Sequence, residues 1–279
     1  MTKEGPIPPQ EELVGAKVLP FHTALHGQLG VPHADKVEDH AFSVRIEAKR
    51  FKRANGGEVE VIRDLSFVLT PHTFTCLLGP SGCGKTTTLK IMLGLDADFS
   101  GAVSPALQRA RFAAVFQEPR LLPWRSVEDN IRLALPPEMA EKDLTPVLDA
   151  VELNAFRSAY PSELSLGMAR RVALARAFSV EPEILLLDEP FVSLDEMTAN
   201  RLRHLLLELW QSRPVTVLMV THNIREAARL ADRLIVLSPP PAHVAGTTEI
   251  SLPHAGRSGG ALSHLLVDLA HRFPSLALE

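Results

Sequence analysis

Residues 79–87 read Gly79-Pro80-Ser81-Gly82-Cys83-Gly84-Lys85-Thr86-Thr87, types and spacing that could hold a chain of phosphates. Gly79, four intervening positions, then Gly84, Lys85 and Thr86 make the phosphate-loop pattern. Glycines let the backbone approach the phosphates, so that successive N–H groups and the N-terminus of a following helix face the negative charge. Lys85 would reach the β- and γ-phosphates, and the Thr86 hydroxyl would complete a Mg2+ shell. The pattern needs strand, loop and helix in that order. Phe74, Cys76, Leu77 and Leu78 upstream predict a buried strand, and 87–93 lacks Gly and Pro and predicts a helix. A Gly-rich turn with a surface lysine is the plainer alternative, and the flanking context argues against it. These residues predict a nucleotide site.

Two later strands should deliver the remaining chemistry. The apolar run 184–187 is closed by Asp188-Glu189-Pro190, as in a parallel-sheet strand with carboxylates at its C-terminal end. Ligands of open α/β sheets bind at that edge. Asp188 can therefore hold Mg2+ opposite Thr86, directly or through water, and Glu189 can orient or deprotonate an attacking water. The run 215–220 ends in Thr221-His222-Asn223. A lone histidine is usually structural, but His222 at the edge that carries the acids is a candidate for the γ-phosphate. Cys83, among phosphate-loop N–H groups and beside Lys85, is expected to be a reactive thiol that a bound nucleotide shields.

The rest of the chain must position these groups. Residues 1–40 show no sustained period and predict a poorly ordered extension. Phe42, Val44 and Ile46 alternate as in a half-buried strand, and Val59, Val61 and Ile62 predict the next, after a turn at 54–57. Phe51, just before that turn, is either half-buried packing or a platform for a base, and position alone favours packing. A turn is expected at Ser100-Gly101, then a short strand, 112–116, ending at Gln117. Residues 118–163 are Pro-rich with helix starts: Ser126 and Asp129 resemble a capping box, and Thr145-Pro146 an N-cap followed by an N1 proline. They predict a small helical insertion. Helices are expected over 164–179 and 196–211, the latter with Leu202, Leu205, Leu206 and Leu209 on one face. Another strand should cover 234–237. The tail from 239 is punctuated by Pro and Gly until Leu262, Leu265, Leu266 and Leu269 mark an amphipathic helix that packs within the chain.

Composition narrows the class. With 279 residues, 46% hydrophobic, the chain can bury one large core or two ordinary ones. A net charge of −4 without a basic tract argues against nucleic acid as the main partner. The two cysteines match no zinc spacing and no disulfide framework, as expected of a reducing compartment. No segment approaches the roughly 20 apolar residues that cross a bilayer, and the N-terminus does not resemble a signal peptide. Any membrane span would then come from another chain.

Over residues 42–238 the sequence resembles the ATP-binding subunits of ABC transporters. Gln117 is similar to the Q-loop glutamine, and Leu164-Ser165-Leu166-Gly167-Met168 to the signature motif. Asp188 and Glu189 are similar to the Walker B aspartate and catalytic glutamate, Ser193-Leu194-Asp195 to the D-loop, and His222 to the switch histidine. Phe51 falls where the family stacks an aromatic on adenine, which favours the platform over packing. The resemblance implies an ABC-type P-loop NTPase of the α/β class: a mainly parallel sheet, an antiparallel β subdomain and an inserted helical subdomain at about 118–178. The ATPase domain would span 41–238 and a C-terminal extension 239–279. It implies ATP and Mg2+, with Thr86, Gln117 and Asp188 around the metal. Ser165 and Gly167 would meet the γ-phosphate bound to the other subunit of a head-to-tail dimer, a homodimer or a pair of related subunits. The dimer would dock on separate permease chains, peripheral to the cytoplasmic face of the inner membrane.

The usual signature is Leu-Ser-Gly-Gly, and Leu166 departs from it. A leucine cannot adopt positive φ cheaply, so Leu166 is expected to take ordinary angles and to pack against the helical insertion or the permease-facing surface. The run 116–124 and the segment 168–177 are similar to the nitrate/sulfonate/taurine importer subfamily, which implies a periplasmic solute-binding protein as an indirect partner. An ABC ATPase of a non-transport membrane machine, in cell division or lipid trafficking, is the alternative. A DNA-repair or translation ATPase would need a long coiled-coil insertion or a second cassette, and the sequence has neither.

Overall fold

The computed structural model describes residues 42–53 and 56–274. The expected N-terminal extension and part of the expected turn at 54–57 lie outside them.

The strands fall into two sheets. Strands β1 (Phe42–Lys52), β2 (Glu58–Leu69) and β4 (Ser100–Val103) form an antiparallel sheet in the order β2-β1-β4. Strands β3 (Phe74–Leu78), β5 (Phe112–Val115), β6 (Ile184–Asp188), β7 (Thr216–Thr221), β8 (Arg233–Leu237) and β9 (Val244–Glu249) form the second, ordered β5-β6-β7-β3-β8-β9. All its neighbours are parallel except β9, which runs antiparallel to β8. Every residue of β3, β6 and β7 is buried, as the continuous apolar runs require of strands covered on both faces.

The side chains of these strands alternate between two cores. Cys76, Leu187 and Met219 face helices α3 (Val127–Arg132), α5 (Leu166–Ser179), α6 (Glu196–Ser212) and α7 (Ile224–Leu230). Leu77, Leu186 and Leu218 face helices α1 (Lys85–Met92) and α2 (Pro105–Arg109) and the antiparallel sheet. Leu202, Leu205, Leu206 and Leu209 of α6 are buried as their spacing predicts. Each full leucine burial contributes about 1.5–3 kcal/mol.

Helix ends follow local chemistry. Ser126 and Asp129 form the expected capping box at α3. Helix α4 (Thr145–Ala150) departs from expectation: Thr145 is its first residue rather than its cap, and the Asp143 carboxylate accepts from the Thr145 N–H at 2.9 Å. Buried Asn130 of α3 accepts from the Leu122 N–H and donates to the carbonyls of Leu122, Arg125 and Ser126, fastening the segment after Gln117 to the helical region.

The C-terminal region differs from the boundary expected after 238. β9 extends the main sheet through β8, and helix α8 (Gly259–Arg272) buries Leu262 and Leu269 in the larger core. Residues 239–272 therefore complete the same packed unit. The amphipathic helix does pack within the chain, as its stripe predicts.

Candidate functional site

Strand register gathers the candidate residues at one edge. Val115 pairs with Leu187, Asp188 with Val220, and Leu78 with Thr221, so the residues just beyond these pairs leave the C-terminal edge together. They are Gln117, Glu189, His222 and Gly79. Backbone bonds tie the exits to one another: the Glu189 N–H donates to the Val220 carbonyl at 3.0 Å, and the Gly79 N–H to Thr221 at 3.4 Å.

The phosphate loop wraps into α1 through left-handed residues, Gly82 at φ 77° and Gly84 at φ 96°. A Cβ on Gly84 would lie 2.8 Å from Ile62 Cγ1, so β2 closes over the loop where only glycine fits. Lys85 is buried and donates to the carbonyls of Gly79 at 2.7 Å and Pro80 at 3.0 Å, with its Nζ 3.8 Å from the Glu189 carboxylate. Pro80, Ser81, Gly82, Thr86 and Thr87 are all at least partly accessible. Cys83 is not. Its side chain is fully buried among apolar residues, with Sγ only 3.0 Å from where a Gly79 Cβ would stand. The expected reactive thiol is thus a core side chain.

The Thr86 hydroxyl donates to Asp188 Oδ1 at 3.0 Å. This hydroxyl and carboxylate make an all-oxygen pair suited to a hard divalent cation. Among the described residues no three His, Cys, Asp or Glu side chains form a metal cage, and Mg2+ commonly takes one or two carboxylates and completes its shell with phosphate and water. Burial raises the Asp188 carboxyl above its ordinary value, the Thr86 hydrogen bond pulls it back, and the Glu189 charge raises it further. Glu189 Oε2 lies 3.1 Å from His222 Nδ1. Glu189 itself has φ 44° and Ser193 has φ 62°, so a left-handed residue stands at each end of the turn after β6.

The other candidates lie on separate elements. Phe51, near the end of β1, is 43% exposed, with Lys49 Nζ 4.7 Å from its ring centroid. Ser165 caps α5 by accepting from the Met168 N–H at 3.3 Å. Leu166 is the first helical residue and has no positive φ, as expected, and its side chain is 44% exposed. Gly167 is buried against α6, where a Cβ would lie 2.7 Å from Thr198 Cγ2. Asp195 caps α6 through the Thr198 N–H at 3.0 Å.

Sequence reasoning missed a set of buried polar residues behind the site. A cavity of about 160 Å³ is lined by Glu189, His222, Thr221, Glu226 and Arg203 among others. Glu226 accepts from the Thr221 hydroxyl at 2.8 Å and lies 4.0 Å from Arg203. Burial raises the Glu226 carboxyl, against the Thr221 hydrogen bond and the Arg203 charge. Arg170 of α5 donates to the carbonyls of Pro190 and Val192. Single arginines and acids inside amphipathic helices read as solvated faces, and nothing in their spacing marks them as buried.

Comparison with known proteins gives one answer. The ABC transporter family matches residues 62–192. The aliphatic sulfonates import ATP-binding protein SsuB 2 of Pseudomonas syringae pv. tomato is 41% identical over 210 residues, covering 75% of this chain and 86% of that protein. The corresponding SsuB protein of Bacillus cereus is 38% identical over 215 residues, with 75% and 86% covered. Among solved structures, a dimeric ATP-binding cassette in a post-hydrolysis state with ADP and Pi is similar at TM-score 0.63 and 27% identity, covering 75% of this chain and 98% of that one. CbiO1 of Clostridium perfringens, part of the ABC transporter complex cbiONQ, shares the fold at TM-score 0.65 and 21% identity, with 84% and 96% covered.

Proposed function

The chain belongs to the ABC transporter family, and we propose that it is the ATP-hydrolysing subunit of an importer for aliphatic sulfonates or closely related small anions. One observation carries the catalytic part: Lys85, the Thr86–Asp188 pair and the Glu189–His222 pair meet at a single sheet edge beside a glycine loop. The names of its sulfonate-importing relatives support the choice of solute.

In this reading the loop N–H groups of residues 79–87 and the Lys85 ammonium hold the β- and γ-phosphates, and Phe51 stacks on the adenine. Thr86 and Asp188, with Gln117 at the same edge, would hold Mg2+, which would neutralise charge on the phosphates. Glu189 accepts a proton from, or orients, the attacking water. His222 fixes the Glu189 carboxylate through its 3.1 Å contact and can reach the γ-phosphate. Lys85 Nζ stands 3.8 Å from the same carboxylate, so the ammonium and the base face one substrate position. Ser165 and Gly167, with Leu166 and Met168 beside them, present the start of α5 to the nucleotide of a second subunit, and Asp195 orders the adjoining α6.

No described helix is long and apolar enough to cross a membrane. The subunit would act as a dimer on separate permease chains at the cytoplasmic face, fed by a periplasmic solute-binding protein. The test is growth of a strain lacking this chain on an aliphatic sulfonate as sole sulfur source. Failure on the sulfonate with normal growth on sulfate, restored by the intact chain and not by Glu189→Gln, is the expected result. Unchanged growth and unchanged uptake of labelled sulfonate would overturn the choice of solute.

A further inference from the structure

The turn between Glu189 and Asp195 is held from both sides by buried arginines. Three buried side-chain atoms among the described residues have no hydrogen-bond partner, and two are the Nε groups of Arg170 and Arg203. On one side, Arg170 is 4% exposed, and its two terminal nitrogens donate to the carbonyls of Pro190 and Val192. On the other, the Arg203 guanidinium lies 5.7 Å from the Phe191 ring and donates to Glu196 and Asn200. Glu226 balances both, 4.0 Å from Arg203 and close enough for its charge to act on Arg170.

The turn needs such support. Glu189 and Ser193 both adopt left-handed angles, each disfavoured about tenfold for a residue with a β-carbon. Such angles persist only where the surroundings over-determine them. The turn's own hydrogen bonds are long, 3.3 Å from the Val192 N–H to Glu189 and 3.4 Å from the Leu194 N–H to Phe191. A guanidinium fork on two carbonyls is stronger and directional. Its carrier is α5, whose first turn holds Ser165 and Gly167.

We propose that Arg170 is a positioning residue that couples the start of α5 to the backbone beside Glu189, so that contact of Ser165 and Gly167 with a second subunit's nucleotide sets the Glu189 carboxylate. This rests on the role given to Glu189 above. A shift of α5 carries the guanidinium with it, the fork carries Pro190 and Val192, and Glu189 is bonded directly to Pro190. The two active sites of a dimer would thereby sense each other through one side chain in each subunit.

The experiment uses the full chain with Mg-ATP and the variants Arg170→Lys, Arg170→Gln and Arg170→Met. Phosphate release should show kcat falling about tenfold or more in Arg170→Met, with KM for ATP within about twofold, because Lys85 and Thr86 are untouched. Arg170→Gln should fall between Arg170→Met and Arg170→Lys, which keeps the charge and one carbonyl bond and should recover most of the loss. Amide exchange of residues 191–194 should quicken about tenfold in Arg170→Met while β6 and the middle of α5 stay protected. Unchanged exchange at 191–194, or kcat falling only in proportion to the loss of folded protein, overturns the proposal. A wild-type chain without ATPase activity, or one indifferent to Glu189→Gln, overturns the catalytic reading instead. The exchange measurement still tests the clamp in that case.

Discussion

Gly167 is the best place to test the packing that joins α5 to α6. Its φ is not positive, so the backbone does not require glycine there. Space does: a Cβ would stand 2.7 Å from Thr198 Cγ2, closer than carbon atoms approach. Forcing a methyl group into such a contact typically costs about 1–3 kcal/mol. Alanine in a helix is favoured over glycine by up to about 1 kcal/mol, so Gly167→Ala alone should destabilise by a net ~1–2 kcal/mol. That corresponds to a drop in Tm of roughly 2–8 °C for a protein of this size. Thr198→Ser removes the offending methyl and keeps the N–H that Asp195 caps. In the Thr198→Ser background the clash is gone and the helix preference remains, so Gly167→Ala should become neutral or stabilising. Urea unfolding of the four proteins gives the coupling energy, expected at about 1 kcal/mol or more. Equal effects of Gly167→Ala in both backgrounds would refute the argument and would leave the nucleotide-facing surface as the reason for glycine.

Three further outcomes follow from the site. Glu189→Gln keeps the shape and removes the carboxylate, so phosphate release should fall at least about 100-fold while a sizing column in Mg-ATP shows a dimer; a monomeric variant with normal turnover contradicts the assignment. Asp188 has its carboxyl raised by burial, so the folded state binds its proton more tightly than the unfolded chain does. Stability from this group is therefore complete below the ordinary carboxylate range and is lost as pH rises through the raised value; Asp188→Asn should raise Tm at pH 7 by about 2 °C or more, lose that advantage towards pH 3, and abolish ATP turnover. Leu166→Gly should change turnover less than about fivefold, because the residue already has ordinary helical angles and an exposed side chain; phosphate release more than tenfold faster would mean that the leucine restrains the enzyme.

Local chemistry was legible and long-range packing was not. The phosphate loop, the acids after β6 and His222 after β7 could be read because apolar runs closed by polar groups mark the ends of buried strands. The Ser126–Asp129 cap could be read because both partners lie within one turn. β9 could not: Val244–Glu249 has alternating half-burial and few large apolar side chains, and it is a strand because β8 offers it an edge. Cys83 misled because its neighbours in sequence are charged or phosphate-facing, while its side chain turns the other way into the core. Arg170 and Glu226 were invisible because what matters is a carbonyl or a guanidinium brought from another element.

The order of the parallel strands has a consequence for how such a subunit can change. Gln117, Glu189, His222 and Gly79 leave β5, β6, β7 and β3, four neighbouring strands, so the spacing between them is set by the width of a strand, about 4.8 Å a step. The three steps span ~14 Å, a fixed ruler across the place where phosphates and water must meet. The helical segments ahead of α5 also lie between β5 and β6 in the chain but do not enter that ruler. Their exposed side chains can change while the spacing of the strand exits stays as it is.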